Sequence, residues 1–531
     1  MKSWTQNAVI YQIYPRSFKD SDNDGIGDIK GIIDKVDYLA SLGIDAVWLS
    51  PIYKSPQLDY GYDVSDHREI DPIFGIMDDF KNLLKLLHEK GIKLIMDFIP
   101  NHTSTEHPWF IEARSNKTNP KRDWYIWADP AANNGPPNNW ISAFGGPAWQ
   151  LDEVTNQYYY HAFSPYQPDL NWRNEEVKKE MFNVMKFWLD LGVDGFRIDA
   201  VDYLFEAKDL KDEPKNPYYQ PGFHQYRDQA LSHIYTKGLS ESIKMLGEMG
   251  KVLRAYQNKY MVTEAAEAKL SKLIEMYKIV DWRSYQPFNF SMIDLPWEAQ
   301  SYREYIDCYD QAVGQNYVPC YVAGNHDKPR VVTRIGAREA RNAAVILFTL
   351  RGNAFIYNGE EIGMRNRKLP KNLERDTYDE YSPGLGLGRN GERTPMQWDN
   401  TNQAGFSSFK PWLPICSDYK KVNVDEETKD PKSFLNLYKK LIKLKKENPA
   451  LIDGDYIPMD SKAEKVFCYI RQSDKNKILV VINFGREKQK INLNIEGKLI
   501  LNNFLDRKAG TKIDLKNLLL RGNEGMILEI F

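Results

Sequence analysis

Sulfur chemistry is almost missing from this chain. Its 531 residues include four cysteines, Cys308, Cys320, Cys416 and Cys468, with no CxxC spacing. That excludes a thiolate metal site and a disulfide scaffold. Reduced, buried thiols are the expectation, with a Cys308–Cys320 bridge open to the chain only if it is exported. No run of about twenty apolar residues occurs, so no membrane span is expected. Met1–Ile13 has neither a basic head nor a long apolar segment, so no signal peptide is expected. The expected location is the cytoplasm, or outside the cell if a leader precedes the chain as given. An excess of charge is missing too. The formal net charge is −2, which gives neither nucleic acid nor an anionic membrane a reason to bind. Small molecules are the expected partners, acting on a monomer or weak homo-oligomer. No repeat or low-complexity segment is present.

Aromatic residues are plentiful, with 32 Tyr and 13 Trp. A large core absorbs most of them. The sharper reading is carbohydrate contact, since sugars lay apolar faces on rings and bond through their hydroxyls.

The early chain alternates short apolar runs with amphipathic stretches. Ala8–Tyr14, Ala46–Leu49 and Lys93–Phe98 read as strands, and Ile29–Leu42 and Phe80–His88 as helices. Later strands are expected at Gly195–Ile198, Tyr260–Thr263, Val280–Trp282, Tyr317–Ala323 and Ala354–Tyr357. Alternation of this kind implies parallel strands with covering helices, and the count fits a closed eight-stranded (β/α)8 barrel. His102–Trp172 breaks the rhythm with Asn, Pro, Gly, Trp and Tyr; it is too long for an ordinary loop. The expected division is a barrel over 1–102 and 173–452, an inserted small domain over 103–172 after strand three, and a C-terminal antiparallel β-sandwich over 453–531. A second irregular stretch, Arg365–Asp399, is expected to cover the barrel mouth.

Gly195-Phe196-Arg197-Ile198-Asp199-Ala200 is the most informative motif. Side chains alternate along a strand, so Arg197 and Asp199 share a face, and the cation favours the ionised acid. Such a carboxylate suits a glycosidase nucleophile. A buried structural ion pair is the competing reading, and its company decides between them. Asp97 to His102, Arg197 with Asp199, Glu264, and Asn325-His326-Asp327 each follow a predicted strand. Barrel enzymes carry their chemistry at those strand ends.

These residues resemble the α-amylase family of glycoside hydrolases (family 13), in its α-glucosidase, oligo-1,6-glucosidase and animal maltase branch. The resemblance covers most of the chain, including Tyr11 to Phe18, Gly61-Tyr62-Asp63, Asp97 to His102, Gln167 to Trp172, Gly195 to Ala200, Gly324 to Asp327 and Arg393 to Asp399. It implies Asp199 as nucleophile, Glu264 as acid then base, and Asp327 as the third acid gripping sugar hydroxyls. It implies sugar contacts from Tyr62, His102 and His326, orientation of the nucleophile by Arg197, and further contacts from Phe144, Phe163 and Gln167. It also implies that Asp59 and Arg393 pair to close the pocket at the non-reducing end.

Asp20-Ser21-Asp22-Asn23-Asp24-Gly25-Ile26-Gly27-Asp28 places oxygen ligands at alternate positions, but Gly31 stands where an EF-hand needs glutamate. The resemblance implies one structural Ca²⁺ here, held by Asp20, Asp22, Asp24, Asp28 and the Ile26 carbonyl. No organic cofactor is expected. Ala200, directly after the nucleophile, resembles α-1,4-acting relatives; valine there accompanies α-1,6 preference, a β-branched side chain narrowing the space beside the aglycone. The expected activity is retaining, exo-acting release of glucose from maltose, short malto-oligosaccharides and sucrose. Ala265-Ala266-Glu267 is expected to shape the aglycone site. The rival activities are transglucosylation, sucrose isomerisation and α-1,6-specific hydrolysis. A non-catalytic relative of transporter heavy chains is the rival from another class, and it lacks the acids kept here.

Overall fold

The computed structural model describes residues 3–220, 226–265, 269–374 and 376–531. Eight parallel strands form the central sheet: β1 (Val9–Ile13), β2 (Ala46–Leu49), β3 (Lys93–Phe98), β4 (Gly195–Ile198), β5 (Tyr260–Thr263), β6 (Tyr285–Pro287), β7 (Cys320–Val322) and β8 (Asn353–Tyr357). Their order is β6-β5-β4-β3-β2-β1-β8-β7, so β8 returns to pair with β1 and the sheet curls into a barrel. β6 and β7 meet through side chains: Phe288, just after β6, shares the interior cluster with Cys320 and Val322. That interior also holds Ile10, Trp48, Ile95, Val262 and Phe355, and is a packed core.

Seven of the eight strands fall on apolar runs expected from sequence; β6 does not. Val280 closes the helix Leu270–Val280, whose Leu273, Met276, Tyr277 and Val280 are buried at helical spacing, and the strand begins at Tyr285. The stretch Ile29–Leu42 is two helices, Ile29–Ile33 and Val36–Leu42, the first capped by Asp28 accepting the Gly31 N–H. Cys308 is exposed and Cys320 lies in the barrel interior; both are free thiols, so they form no bridge.

Within 103–172, Trp127–Ala128, Trp149–Asp152 and Gln157–Tyr160 make a three-stranded antiparallel sheet. The C-terminal part is antiparallel, with a six-stranded sheet and a two-stranded one. Alternation explains how it attaches. Val466 and Cys468 point into the core shared by its two sheets, whereas Phe467 and Tyr469 join the core continuous with the barrel.

Candidate active site

Strand register assembles the site. Asp97 on β3 stands level with Arg197 on β4, and Val262 on β5 is level with Arg197 from the other side. The ladder runs one residue beyond each strand end. The Asp199 N–H donates to the Phe98 carbonyl at 2.9 Å, and the Glu264 N–H to the Ile198 carbonyl at 2.9 Å. Both acids therefore sit on hydrogen-bonded backbone. Gly195 allows this closeness: a Cβ there would lie 2.2 Å from the Tyr260 carbonyl oxygen.

Arg197, 1% exposed, is the hub. Its Nη1 donates to Asp97 Oδ1 at 2.6 Å and to Asp199 Oδ1 at 2.6 Å, and its Nη2 donates to Glu264 Oε2. One guanidinium thus faces three acids. Burial pushes Asp97 and Asp199 up to about 6 each, against the pull of Arg197. Burial pushes Glu264 up to about 8; Arg197 opposes this, while the charges of Asp199 and Asp327 add to it. Glu264 is the carboxyl that keeps its proton at neutral pH, and Asp199 the one that loses it.

Asp327 faces them with the opposite balance. Arg389 Nη1 and Arg393 Nη2 donate to its Oδ1 at 3.2 and 2.8 Å, and His326 Nε2 lies 3.3 Å from its Oδ2. Although burial opposes it, these groups hold Asp327 well below the usual carboxylate range. Gln12 Nε2 donates to His326 Nδ1 at 2.8 Å, which places the imidazole proton on Nε2, facing Asp327. Burial holds His102 and His326 neutral, each lowered to about 3.

Eleven of the thirteen predicted catalytic and sugar-contact residues line one pocket of about 190 Å³: Asp59, Tyr62, His102, Phe144, Phe163, Gln167, Asp199, Ala200, Glu264, His326 and Asp327. Arg197 and Arg393 are buried behind its wall. Tyr62 stacks flat against His326, with ring centroids 5.6 Å apart. Gln167 Nε2 bridges Asp59 Oδ2 at 3.1 Å and His102 Nε2 at 3.0 Å. Ala200 has φ +47° and ψ 38°, a left-handed residue directly after Asp199.

One predicted pairing is different. Asp59 Oδ1 accepts from Arg389 Nη2 at 2.9 Å, whereas Arg393 engages Asp327, Asp376 and the His326 carbonyl. Both arginines belong to the same irregular segment, and Arg389 is the one whose guanidinium reaches the open pocket. Sequence reasoning also missed Asp97 as the anchor of Arg197, although the motif Asp97–His102 contains it. It missed Asp376, and it missed the wall formed by Tyr203, Tyr226, Asp228, Lys237 and Lys328. These lie in or beside irregular segments with no periodic pattern to flag them. The expected mouth-covering role of 365–399 is met by Tyr378, Leu387 and Arg389. Of the expected aglycone loop, Ala265 is buried, while Ala266 and Glu267 lie outside the described residues.

In the acidic loop, Asp20, Asp22 and Asp28 bring carboxylate oxygens within 4.8 Å of one another. Burial and the charges of Asp24, Asp28 and Asp20 raise Asp22. An all-oxygen anionic set fits a hard divalent ion. Asp24 Oδ1 accepts the Ile26 N–H at 2.7 Å, much as Asp20 Oδ1 accepts the Asn23 N–H at 2.7 Å.

Comparisons with known proteins agree with this architecture. The family model described as alpha amylase, catalytic domain, matches residues 12–454, and that of the alpha-amylase SusG C-terminal domain matches 466–527. The oligo-1,6-glucosidase of Parageobacillus thermoglucosidasius is 39% identical over 517 residues, 91% of this chain and 91% of that one. The α-glucosidase of Culex pipiens is 37% identical over 547 residues, 99% of this chain and 91% of that one. The crystal structure of the α-glucosyl transfer enzyme XgtA superposes with a TM-score of 0.93 at 36% identity, over 100% of both chains. No described helix is long and apolar enough to cross a membrane. With its catalytic barrel matched almost end to end and its C-terminal sheets matched beyond it, the chain belongs to the α-amylase family of glycoside hydrolases.

Proposed function

We propose that the protein is a retaining, exo-acting α-glucosidase that releases terminal glucose from maltose, short malto-oligosaccharides and sucrose. The observation that carries this reading is the Asp199–Glu264 pair: two carboxyls on adjacent strand ends that both accept from the Arg197 guanidinium, with burial raising Glu264 further than Asp199. Retaining glycosidases use two acids about 5–5.5 Å apart, and two carboxyls bonded to the terminal nitrogens of one guanidinium are held at that kind of close quarters.

In this mechanism Asp199 attacks the anomeric carbon while Glu264 gives its proton to the departing oxygen, leaving a glucosyl ester on Asp199. Water enters where the leaving group was. Glu264 takes its proton, the ester C–O bond breaks, and the starting protonation returns. The Asp327 carboxylate, ionised throughout, holds sugar hydroxyls and favours positive charge growing on the ring. Asp59 and Arg389 close the end of the pocket, which suits removal of one terminal glucose over cutting within a chain.

A second reading, glucosyl transfer to a sugar acceptor, is favoured by the match to the α-glucosyl transfer enzyme XgtA. It shares the first half of the mechanism and differs in what resolves the ester. Initial rates on maltose, isomaltose, sucrose and trehalose, with free glucose counted against total bonds cleaved, separate the two. Hydrolysis yields two glucose per maltose broken; transfer yields close to one. A strong isomaltose preference overturns the linkage reading, and no cleavage of any α-glucoside overturns both. Asp20, Asp22, Asp24 and Asp28, with the Ile26 carbonyl, would hold a structural Ca²⁺ that would tie this loop together and take no part in the chemistry.

A further inference from the structure

The stretch Arg365–Asp399 does more than roof the pocket. Within it Asp376 is 0% exposed and lines no part of the cavity. Its two oxygens accept from Arg389 Nε at 3.1 and 3.0 Å, and its Oδ2 also accepts from Arg393 Nη1 at 3.4 Å. The same carboxylate caps the helix Thr377–Tyr381 by accepting the Tyr378 N–H at 3.1 Å. That first turn delivers Thr377 Oγ1 to Asp59 Oδ1 at 3.0 Å. It also sets Tyr378 against Phe144, edge to face at 4.7 Å.

Arg389 therefore has one task per edge of its planar fork. Nε is held by Asp376, Nη1 reaches Asp327 at 3.2 Å, and Nη2 reaches Asp59 at 2.9 Å. A guanidinium is rigid and its donors are fixed in one plane. Holding the Nε edge sets where both outer nitrogens point. Without that hold, Asp59 and Asp327 would face each other across a cation free to rotate.

We propose that Asp376 is a positioning residue for recognition of the terminal sugar: by fixing the plane of Arg389 it sets the spacing of Asp59 and Asp327, so that the pocket accepts an unsubstituted non-reducing glucosyl unit in one pose. This rests on the glucosidase reading. The clamp grips the sugar before and during reaction alike, so its loss is a loss of uniform binding, felt in KM more than in kcat.

The test is Asp376→Asn, which keeps the helix cap, since Asn caps as well as Asp, and removes the charge that holds Arg389. Steady-state constants are measured for p-nitrophenyl α-glucoside and its 4-deoxy analogue, which lacks the non-reducing-end hydroxyl. KM is expected to rise about tenfold with kcat within about threefold. The rate penalty for the missing hydroxyl should shrink by about tenfold relative to wild type. An unchanged KM with an unchanged 4-deoxy penalty overturns the proposal, as does a fall in kcat alone on both substrates. If the Asn variant does not fold, Arg389→Lys keeps a cation and removes the planar fork that Asp376 holds by its Nε edge; an unmoved KM and 4-deoxy penalty there also overturn it. A wild-type protein inactive on every α-glucoside strikes the glucosidase reading instead. Calorimetric titration with glucose then decides for Asp376: about tenfold weaker binding in the variant supports the clamp, and equal binding rejects it.

Discussion

The two sides of the pocket hold similar residues and behave in opposite ways. On the reacting side, one arginine, Arg197, serves Asp97, Asp199 and Glu264. On the anchoring side, Arg389 and Arg393 together serve Asp59, Asp327 and Asp376. The first side is short of positive charge, so burial raises all three acids and one keeps a proton. The second side has twice the cation, and Asp327, which faces both guanidiniums, is driven below the usual carboxylate range. Burial still raises Asp59, with Arg389 opposing it. The groups facing each acid, His326 with Arg389 and Arg393 for Asp327 and Arg197 for the reacting pair, separate a fixed anion from a proton donor in the same cavity.

The largest test of this contrast removes the nucleophile. Asp199→Asn should lower kcat on maltose by about 10⁴-fold or more with an unchanged circular dichroism spectrum; near-normal glucose release would show that the reacting side is misassigned.

The pH profile tests the balance itself. Below about 6 Asp199 gains a proton and stops attacking; above about 8 Glu264 loses its proton and stops donating. Log kcat/KM should be bell-shaped between these values, falling about tenfold per pH unit on each flank, with apparent constants that belong to the coupled pair. Asp327 is ionised across this range and should add no inflection. Glu264→Gln should abolish the alkaline flank. A profile flat from pH 5 to 9 would contradict the unequal balance.

Ala200→Val adds a β-branched side chain at a residue whose φ is +47°, where such residues are true outliers. A stability loss of about 1–2 kcal/mol in urea melts is expected, with kcat/KM on maltose falling several-fold relative to isomaltose. Unchanged stability would mean the backbone there relaxes freely. The smallest effect lies far from either side: chelation should lower the Tm by roughly 1–4 °C and leave activity at 25 °C intact. An immediate loss of activity without unfolding would show that the acidic loop does more than hold structure.

How much of this was legible in the sequence depends on the kind of bond that places each residue. The barrel strands announce themselves as short apolar runs because their side chains pack on both faces, and the acids at their ends follow by position. β6 was misplaced because Leu270–Val280 continues its apolar pattern to the last helical residue, leaving no apolar surplus to mark Tyr285–Pro287. Within the C-terminal sheets, Asp455–Met459 and Lys512–Asp514 are polar or exposed and Leu518–Leu520 is very short, so these strands carry little alternating pattern to read. The Arg389–Asp376 arrangement could not be read at all. Through Arg389 and Thr377 it joins a loop to Asp59, more than three hundred positions earlier, and no local periodicity encodes such a contact.

The backbone bonds from Asp199 to Phe98 and from Glu264 to Ile198 tether nucleophile and acid to the stiffest part of the molecule. What varies in reach and composition is hung outside them, on the segments carrying Tyr226, Tyr378 and Arg389. Exchange of those segments between relatives should therefore redirect which glucosides are chosen without retuning how the bond is broken. The barrel is in that sense a fixed engine with replaceable intake, and a change in which terminal sugar is accepted would be sought first in residues 376–389.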